Sequence, residues 1–275
     1  MTNSQSEIQG VDDPYRDSTL VVDESDSFFF DHPLDHVPGM LLFSELLDLA
    51  SSAEHAREES LPGRVRGEVR CTKICESDQP TTMRCVARES GWRTTATQGG
   101  YDVCVADFEF VRPAPMVCAL GRIIAAVPAP AELVHRHRSS NILVGQAYPG
   151  PDGAPQAPVL TPPQGHPLRV AEPEYRTPVE IAEAARQFGI YLEHTEAGAP
   201  LDTRMLALSM TIDIPFRVPR SVPLLLRCTQ HQNPTRRAIS SIALIDAVTQ
   251  TQLGTLTVIS TNVSPGDYAR MRATA

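Results

Sequence analysis

Two segments of the chain have the residue pattern of helices that are apolar on a broad face. The first runs MLLFSELLDLASSAEHAREES after Pro38-Gly39, and its apolar residues are too crowded for a surface helix. The second begins at Thr177, with Pro178 at the first helical position and Glu180 placed to complete a capping box. A helix of this kind has to be buried, so each one needs a sheet to wrap around it.

Strand-like segments follow each helix and supply such sheets. They are rich in β-branched and aromatic residues and are separated by Gly, Pro or Asp. After the first helix they are GEVRCTKI, TTMRCVARE, WRTTATQ and YDVCVADFEFV; after the second they are ALSMTIDIPFRV, SVPLLLRCTQ, RRAISSIALIDAV and QLGTLTVISTNV. Further strands are expected ahead of the helices, over residues 19–30 and 132–148. The pattern predicts an α+β protein with a tandem hotdog fold, in which each half is an antiparallel sheet around one central helix.

The domain boundaries follow from proline and charge. Residues 1–17 are expected to be a disordered tail, residues 18–130 the first hotdog domain and residues 131–275 the second. The segment 149–178 contains nine prolines in 30 residues, which predicts an extended, solvated loop without a helix. The two halves are expected to pair as an internal pseudo-dimer. The sequence does not decide whether two chains then form a homodimer.

Composition excludes several classes of function. The 275 residues include 33 acidic and 24 basic side chains, a net charge of -9 that argues against nucleic-acid binding. No apolar run approaches the ~18 residues of a membrane span. The N-terminus lacks the basic start and apolar run of a secretion signal, so a cytoplasmic protein is expected. The six cysteines form no CxxC pair and are interpreted mainly as reduced core thiols.

Three separate motifs resemble one known family. DHPLDHVPGMLL (residues 31–42), ELVHRHRSSNILVG (132–145) and AEAARQFGIYLEHTEAGAPLD (182–202) are similar to the A-factor biosynthesis hotdog family, the actinobacterial acyltransferases that make γ-butyrolactone signalling precursors. The order of the two half-domains is reversed relative to that family. The family's acidic residue five positions after the Gly is replaced by Ser44, with Glu45 one position further on.

The resemblance implies an acyl-thioester enzyme of secondary metabolism that needs no cofactor. Its reaction would be transfer of a β-ketoacyl group from acyl carrier protein or coenzyme A to a hydroxyl acceptor such as dihydroxyacetone phosphate. The same residue types would suit a hotdog dehydratase, isomerase or thioesterase acting on a β-hydroxyacyl or polyketide thioester. A non-catalytic protein that binds an acyl ligand is a third alternative, motivated by Ser44 and the reversed order.

The resemblance also implies the catalytic residues. His32 or His36 would work with Glu183 across the internal interface, because a carboxylate among apolar helix neighbours is costly to bury without a partner. Local pairing of Glu183 with Arg186 or Gln187 is the alternative. His32 and His36 have a zinc spacing, but the prolines around them prevent a helix, so no metal site is predicted.

The remaining candidate residues are assigned to substrate binding. The helix that begins at Gly39 can point its free N–H groups at a thioester carbonyl. Arg136 is expected on a basic strand face, with Arg138, where it can bind a phosphate. The complete substrate-binding set is Asp31, Asp35, Gly39, Arg136, Arg186 and Gln187. Asp31 and Asp35 have an equally strong structural interpretation as turn residues.

Overall fold

The computed structural model describes residues 15–58, 61–112, 126–234 and 237–274. Its first half begins with a strand and one long helix, followed by four antiparallel strands. The elements are β1 (Tyr15–Thr19), α1 (Gly39–Arg57), β2 (Arg64–Cys71), β3 (Thr81–Arg88), β4 (Gly91–Gln98) and β5 (Tyr101–Val111).

The second half repeats this order with more elaborate connections. Two 3-10 turns, Ala131–Val134 and Ser139–Asn141, come before its first strands. The other elements are β6 (Tyr148–Pro149), β7 (Pro155–Pro158), α2 (Pro167–Ala171), β8 (Tyr175–Arg176), α3 (Pro178–Thr195), β9 (Arg204–Pro215), β10 (Val218–Pro219), β11 (Leu224–Gln232), β12 (Arg237–Asp246), β13 (Gln252–Val263) and α4 (Pro265–Thr274).

The main strands form one 11-stranded antiparallel sheet in the order β1-β3-β4-β5-β2-β9-β13-β12-β11-β7-β6. The two halves join where β2 pairs with β9, over a register from Arg64 opposite Pro215 to Arg70 opposite Ser209. Read outward from this seam, the strand order of the second half matches that of the first. α1 packs on β3, β4 and β5, while α3 packs on β9, β11, β12 and β13. The predicted tandem hotdog architecture is confirmed.

The two central helices are buried as their composition predicted. Leu46 and Ala50 of α1 and Phe188 of α3 have no exposed surface. The Thr177 hydroxyl accepts a hydrogen bond from the Glu180 N–H and caps α3. The Glu180 side chain does not complete the capping box; it accepts from Arg220 Nη1 at 2.8 Å instead, because the buried carboxylate has a cation within reach.

Four local predictions are wrong. Residues 15–17, predicted as tail, belong to β1, while residues 1–14 lie outside the described part. Of the strand predicted over residues 19–30, only Thr19 lies in a strand, at the end of β1; the later residues contain turns, in which Asp26 Oδ1 accepts N–H groups of Phe28 and Phe29. The proline-rich segment contains a short helix, α2, because Pro167 occupies a first-turn position where no N–H is needed.

The fourth correction concerns the segment after Ala131. It forms two 3-10 turns rather than a strand through residues 132–138, and His135 adopts a left-handed backbone conformation with φ 51°. Side chains therefore do not alternate between two faces in this segment. The Arg136 side chain points into the protein, and Arg136 is only 6% exposed.

Candidate active site

A cavity of about 880 Å³ lies between the two halves. The first half contributes the turn before α1 and the residues after β2. The second half contributes the turn at residues 131–137, the middle of α3, and β9. Pro265, Tyr268 and Met271 of α4 complete the lining. The predicted residues on this lining are His32, His36, Gly39, Arg136 and Arg186. Ser44 and Glu45 are not among the residues that line it.

The N-terminus of α1 opens onto this cavity. Pro38 precedes the helix without a side-chain cap, and the first turn carries no acidic residue. Gly39 and Met40 both line the cavity. A Cβ at Gly39 would meet Ala207 Cβ at 3.6 Å, an ordinary contact, so packing within the protein does not require glycine. The positive end of the helix dipole is thus available to a carbonyl oxygen.

His32 has the features of a neutral base. Its ring stacks on the His137 ring, with centroids 4.9 Å apart and an angle of 30° between the planes. Its Nδ1 is buried and has no hydrogen-bond partner. Burial lowers the pKa of His32 below its usual 6.5, and nearby His137 lowers it further. The ring is therefore mainly uncharged at neutral pH, and in this form one of its two nitrogens has a lone pair that can accept a proton.

His36 belongs to a different cluster on the same cavity. Its Nδ1 lies 2.8 Å from Asp35 Oδ1 and 3.2 Å from the Tyr268 hydroxyl, which donates to the same carboxylate oxygen at 2.7 Å. Burial opposes ionisation of Asp35, but the hydrogen bonds from His36 and Tyr268 outweigh it and lower the pKa of Asp35 to about 2. Asp35 thus orients the His36 ring, and α4 holds Asp35 in place.

The predicted pairing of a histidine with Glu183 is not what the structure contains. Glu183 is fully buried and accepts hydrogen bonds from Arg136 Nη2 at 2.5 Å and from Arg186 Nε at 2.7 Å. Gln187 Nε2 donates to it at 2.8 Å. Burial raises the pKa of the carboxyl group, but the two arginines outweigh this and lower the pKa to about 2. The alternative prediction, local pairing of Glu183 with Arg186 or Gln187, is confirmed. Arg136, from the turn at residues 131–137, is an additional partner.

Asp31 and Gln187, predicted as substrate-binding residues, bind other parts of the protein: Asp31 ties the first half to the second, and Gln187 ties α3 to the segment before β6. Asp31 accepts hydrogen bonds from the backbone N–H groups of His137 and Arg138 and from Asn141 Nδ2. Gln187 Oε1 accepts from Leu143 N, and its Nε2 donates to the Asn141 carbonyl. Neither residue lines the cavity, so their direct contacts are structural.

His135, from the HRH motif of the second half, lies near His32 of the first half. His135 Nε2 is 2.8 Å from His194 Nε2, while His194 Nδ1 binds the Ala199 carbonyl. Burial lowers the pKa of His135 to about 4, and His194, Arg186 and His32 contribute. His135 and Arg186 both line the cavity, which gives this wall a neutral ring beside a guanidinium.

Sequence reasoning missed three residues of the site. His137 stacks on His32, Arg204 begins β9, and Tyr268 lies in α4. The Arg204 guanidinium lies 5.3 Å from the centroid of the Tyr268 ring. His137 belonged to a recognised motif, but nothing in the sequence signalled Arg204 or Tyr268. In the described ranges, no group of three His, Cys, Asp or Glu side chains is placed to hold a metal ion. Among the described helices, none is both long and apolar enough to cross a membrane.

Replacing Tyr268 with Phe tests the contact between α4 and Asp35. Removing the hydroxyl should raise the pKa of Asp35 and lower the free energy of unfolding by about 1 kcal/mol at neutral pH, since one hydrogen bond to a half-exposed carboxylate is lost. Chemical denaturation measures this change. Tyr101→Phe, at an exposed position on β5, is the matched control and should change little. Equal effects of the two substitutions would contradict the assigned contact.

The sheet, the two central helices and the cavity at their junction define a double-hotdog protein. The chain belongs to the family described as the A-factor biosynthesis hotdog domain, which matches residues 6–109 and 124–260. The match ends before α4, so Tyr268 lies outside it. No curated protein sequence matches the chain.

Solved structures with the same fold include dehydratases and thioesterases. The dehydratase domain of PpsC from Mycobacterium tuberculosis, in complex with C12:1-CoA, has a TM-score of 0.59 at 14% identity, covering 90% of this chain and 93% of that chain. An N-terminal dehydratase from the difficidin assembly line has a TM-score of 0.59 at 10% sequence identity, covering 94% of this chain and 97% of that chain. The acyl-CoA thioesterase II TesB2 from Mycobacterium marinum has a TM-score of 0.52 at 13% sequence identity, covering 82% of this chain and 89% of that chain. At these identities, the likeness shows the fold alone.

Proposed function

We propose that this protein is an acyltransferase that moves a β-ketoacyl group from a thioester of acyl carrier protein or coenzyme A to a hydroxyl acceptor. The observation that carries the proposal is His32, a neutral histidine that lines the same cavity as the uncapped N-terminus of α1. Family membership supports the thioester substrate, and a cavity of about 880 Å³ has room for an acyl chain.

The chemistry requires one base and one oxyanion site. His32 takes the proton of the acceptor hydroxyl as its oxygen attacks the thioester carbonyl carbon. The N–H groups at Gly39 and Met40 stabilise the negative charge that develops on the carbonyl oxygen. When the carbon–sulfur bond breaks, the proton passes from His32 to the thiolate, leaving an ester and a free thiol. No covalent intermediate with the protein is needed.

A phosphorylated acceptor such as dihydroxyacetone phosphate suits the charges on the cavity. Arg186 and Arg204 both line it, and a guanidinium can bind a phosphate through two parallel hydrogen bonds. Arg186 is already bound to Glu183 through Nε and Nη2, so Arg204 is the less committed of the two. We assign the acceptor phosphate to Arg204, at the start of β9.

The ionised state of Glu183 favours acyl transfer over dehydration. A dehydratase moves a proton off one carbon and protonates a leaving hydroxyl, so it needs an acid as well as a base. Glu183, the residue expected to be that acid, is held ionised by two arginines. Transfer to a hydroxyl, or to water in a thioesterase, needs only the base.

The experiment is to incubate the purified protein with a β-ketoacyl thioester, with and without dihydroxyacetone phosphate, and to follow thioester and products by mass spectrometry. Acyl transfer gives an ester only when the acceptor is present. Release of free acid in both conditions would establish a thioesterase instead. A thioester that survives both conditions would remove this assignment, and β-hydroxyacyl thioesters would test the dehydratase alternative.

A further inference from the structure

Two cysteines face each other across neighbouring strands at the edge of the cavity. Cys71 ends β2 and is directly opposite Cys104 of β5 in the register of the two strands. Their sulfur atoms are 3.8 Å apart. The described cysteines, which include both of these, are free thiols.

The backbone geometry at this position allows a disulfide. The Thr72 N–H donates to the Val103 carbonyl at 2.9 Å, so the hydrogen-bonded pair is Thr72 with Val103 and the neighbouring Cys71–Cys104 pair is non-hydrogen-bonded. Cα atoms of such pairs lie roughly 4.5 Å apart, within the roughly 4.4–6.8 Å that a disulfide spans. Rotation of the side chains would bring the sulfurs to about 2.0 Å without moving a strand.

The two thiols differ in access and in acidity. Cys71 is partly exposed and lines the cavity, whereas Cys104 has no exposed surface. The hydrogen bond with Cys104 lowers the pKa of the Cys71 thiol. The same bond, together with burial, raises the pKa of Cys104. A reagent in the cavity therefore meets the more acidic sulfur first, and the thiolate is the reactive form.

We propose that Cys71 and Cys104 form a redox-sensitive pair that low-molecular-weight disulfides close into an intramolecular disulfide. The Cys71 thiolate attacks one sulfur of the reagent, its S–S bond breaks, and one thiol leaves. The Cys104 thiol then loses its proton to water and attacks the Cys71 sulfur of the mixed disulfide; the S–S bond to the reagent breaks, and the leaving thiolate takes up a proton to become the second thiol. The two cysteines are oxidised by two electrons, and the reagent is reduced to two thiols.

Closure would alter a wall of the cavity. Residues Thr72 to Cys75 continue from Cys71 along the lining, and the Cys75 carbonyl accepts the Val37 N–H just before α1. Cys75 itself is engaged with Thr81 and Gln98, which leaves Cys104 as the thiol in contact with Cys71. The proposal requires no turnover and is independent of the proposed acyltransferase activity.

Digestion with trypsin and endoproteinase Asp-N makes the test unambiguous, because each cysteine then falls in a separate peptide. Cleavage after Arg70 and Lys73 gives CTK, and cleavage before Asp102 and Asp107 gives DVCVA. Trypsin alone would leave Cys104 and Cys118 in one peptide, because it does not cut between Arg112 and Pro113. The native protein is treated with bis(2-hydroxyethyl) disulfide, unreacted thiols are alkylated, and the digest is mapped by mass spectrometry. We expect CTK and DVCVA to be linked and the intact protein, measured before alkylation, to have lost the mass of two hydrogen atoms.

Single substitutions separate the attacking thiol from the resolving one. Cys104→Ser should leave a stable mixed disulfide on Cys71, which in the unsubstituted protein is only transient. Cys71→Ser should leave Cys104 unmodified. Cys85→Ser is the control, since Cys85 is buried elsewhere on β3, and the linked peptides should form as before. A mixed disulfide that persists on Cys71 in the unsubstituted protein, or a link from CTK to the Cys75 peptide, would overturn the proposal.

Discussion

Glu183→Gln should lower the free energy of unfolding by about 3–5 kcal/mol, because it leaves two guanidinium groups without their carboxylate in the protein interior. Arg136 is 6% exposed and Glu183 has no exposed surface, so solvent cannot replace the lost charge. Arg136 also donates to the Phe28 carbonyl and lies over the Phe28 ring, which connects the carboxylate to the segment before α1. Urea denaturation measures the change. Glu68→Gln, in the exposed pair with Arg70, is the control and should cost less than about 0.5 kcal/mol.

The same carboxylate predicts how stability depends on pH. Its pKa is lowered from 4.5 to about 2 in the folded protein, so the folded state binds fewer protons than the unfolded state between these values. This contribution to stability is complete above pH 4.5 and is lost as the pH falls toward 2. The difference between the unsubstituted protein and Glu183→Gln should shrink over that range. A difference that is small at pH 7, or that grows on acidification, would contradict the assigned ion pairs.

The architecture was accessible from sequence because its signals are local. Alternation along Thr81–Arg88 and Tyr101–Val111 shows one buried face per strand, and the crowding of apolar residues in Gly39–Arg57 shows a buried helix. These periods depend only on the backbone geometry of each element. Repetition of the same order in both halves then indicated two copies of one domain.

The ion pairs of Glu183 with Arg136 and Arg186 could not be predicted from the sequence, because they depend on a backbone turn that the residue types do not specify. Alternation in VHRHRSS predicts a strand, yet the left-handed residue His135 directs Arg136 inward, toward Glu183. The turn is stabilised by the ion pair of Arg136 with Glu183, which lies 47 residues further along the chain. Similarly, α4 has few apolar residues to mark it, and its Tyr268 reaches a carboxylate 233 residues away. Contacts of this kind follow from the tertiary fold and leave no periodic signal.

The candidate site was found in part for a related reason. The compact motif around His32, His36 and Gly39 is contiguous, so its residues reach one cavity wall together. Its partners come from the turn at His137, from Arg204 and from α4, and these meet the motif only once the two halves have joined. The sequence therefore located the first-half wall of the site and misassigned the acid that was expected to face it.

His32→Asn should lower kcat/KM for acyl transfer by about 10²–10⁴-fold, because general-base catalysis by a positioned side chain contributes an effect of that size. Nδ1 of His32 has no hydrogen-bond partner to lose, so the variant should lose only the ring stack on His137, a loss that lowers the free energy of unfolding by about 1 kcal/mol. Steady-state kinetics with the β-ketoacyl thioester and its acceptor measure the first quantity, and urea denaturation measures the second. His55→Asn, at an exposed position on α1, is the control and should retain full activity.

The pH profile distinguishes a base from a residue that only shapes the cavity. Burial and the neighbouring His137 lower the pKa of His32 below 6.5, so the neutral form persists into mildly acidic solution. For the unsubstituted protein, kcat/KM should stay constant at neutral pH and fall as the pH drops through this lowered pKa. The residual activity of His32→Asn should lack that limb, since the group that titrates has been removed. If His36→Asn instead loses both the activity and the acidic limb while His32→Asn keeps them, the base belongs to the Asp35–His36–Tyr268 cluster, and α4 becomes part of the catalytic machinery.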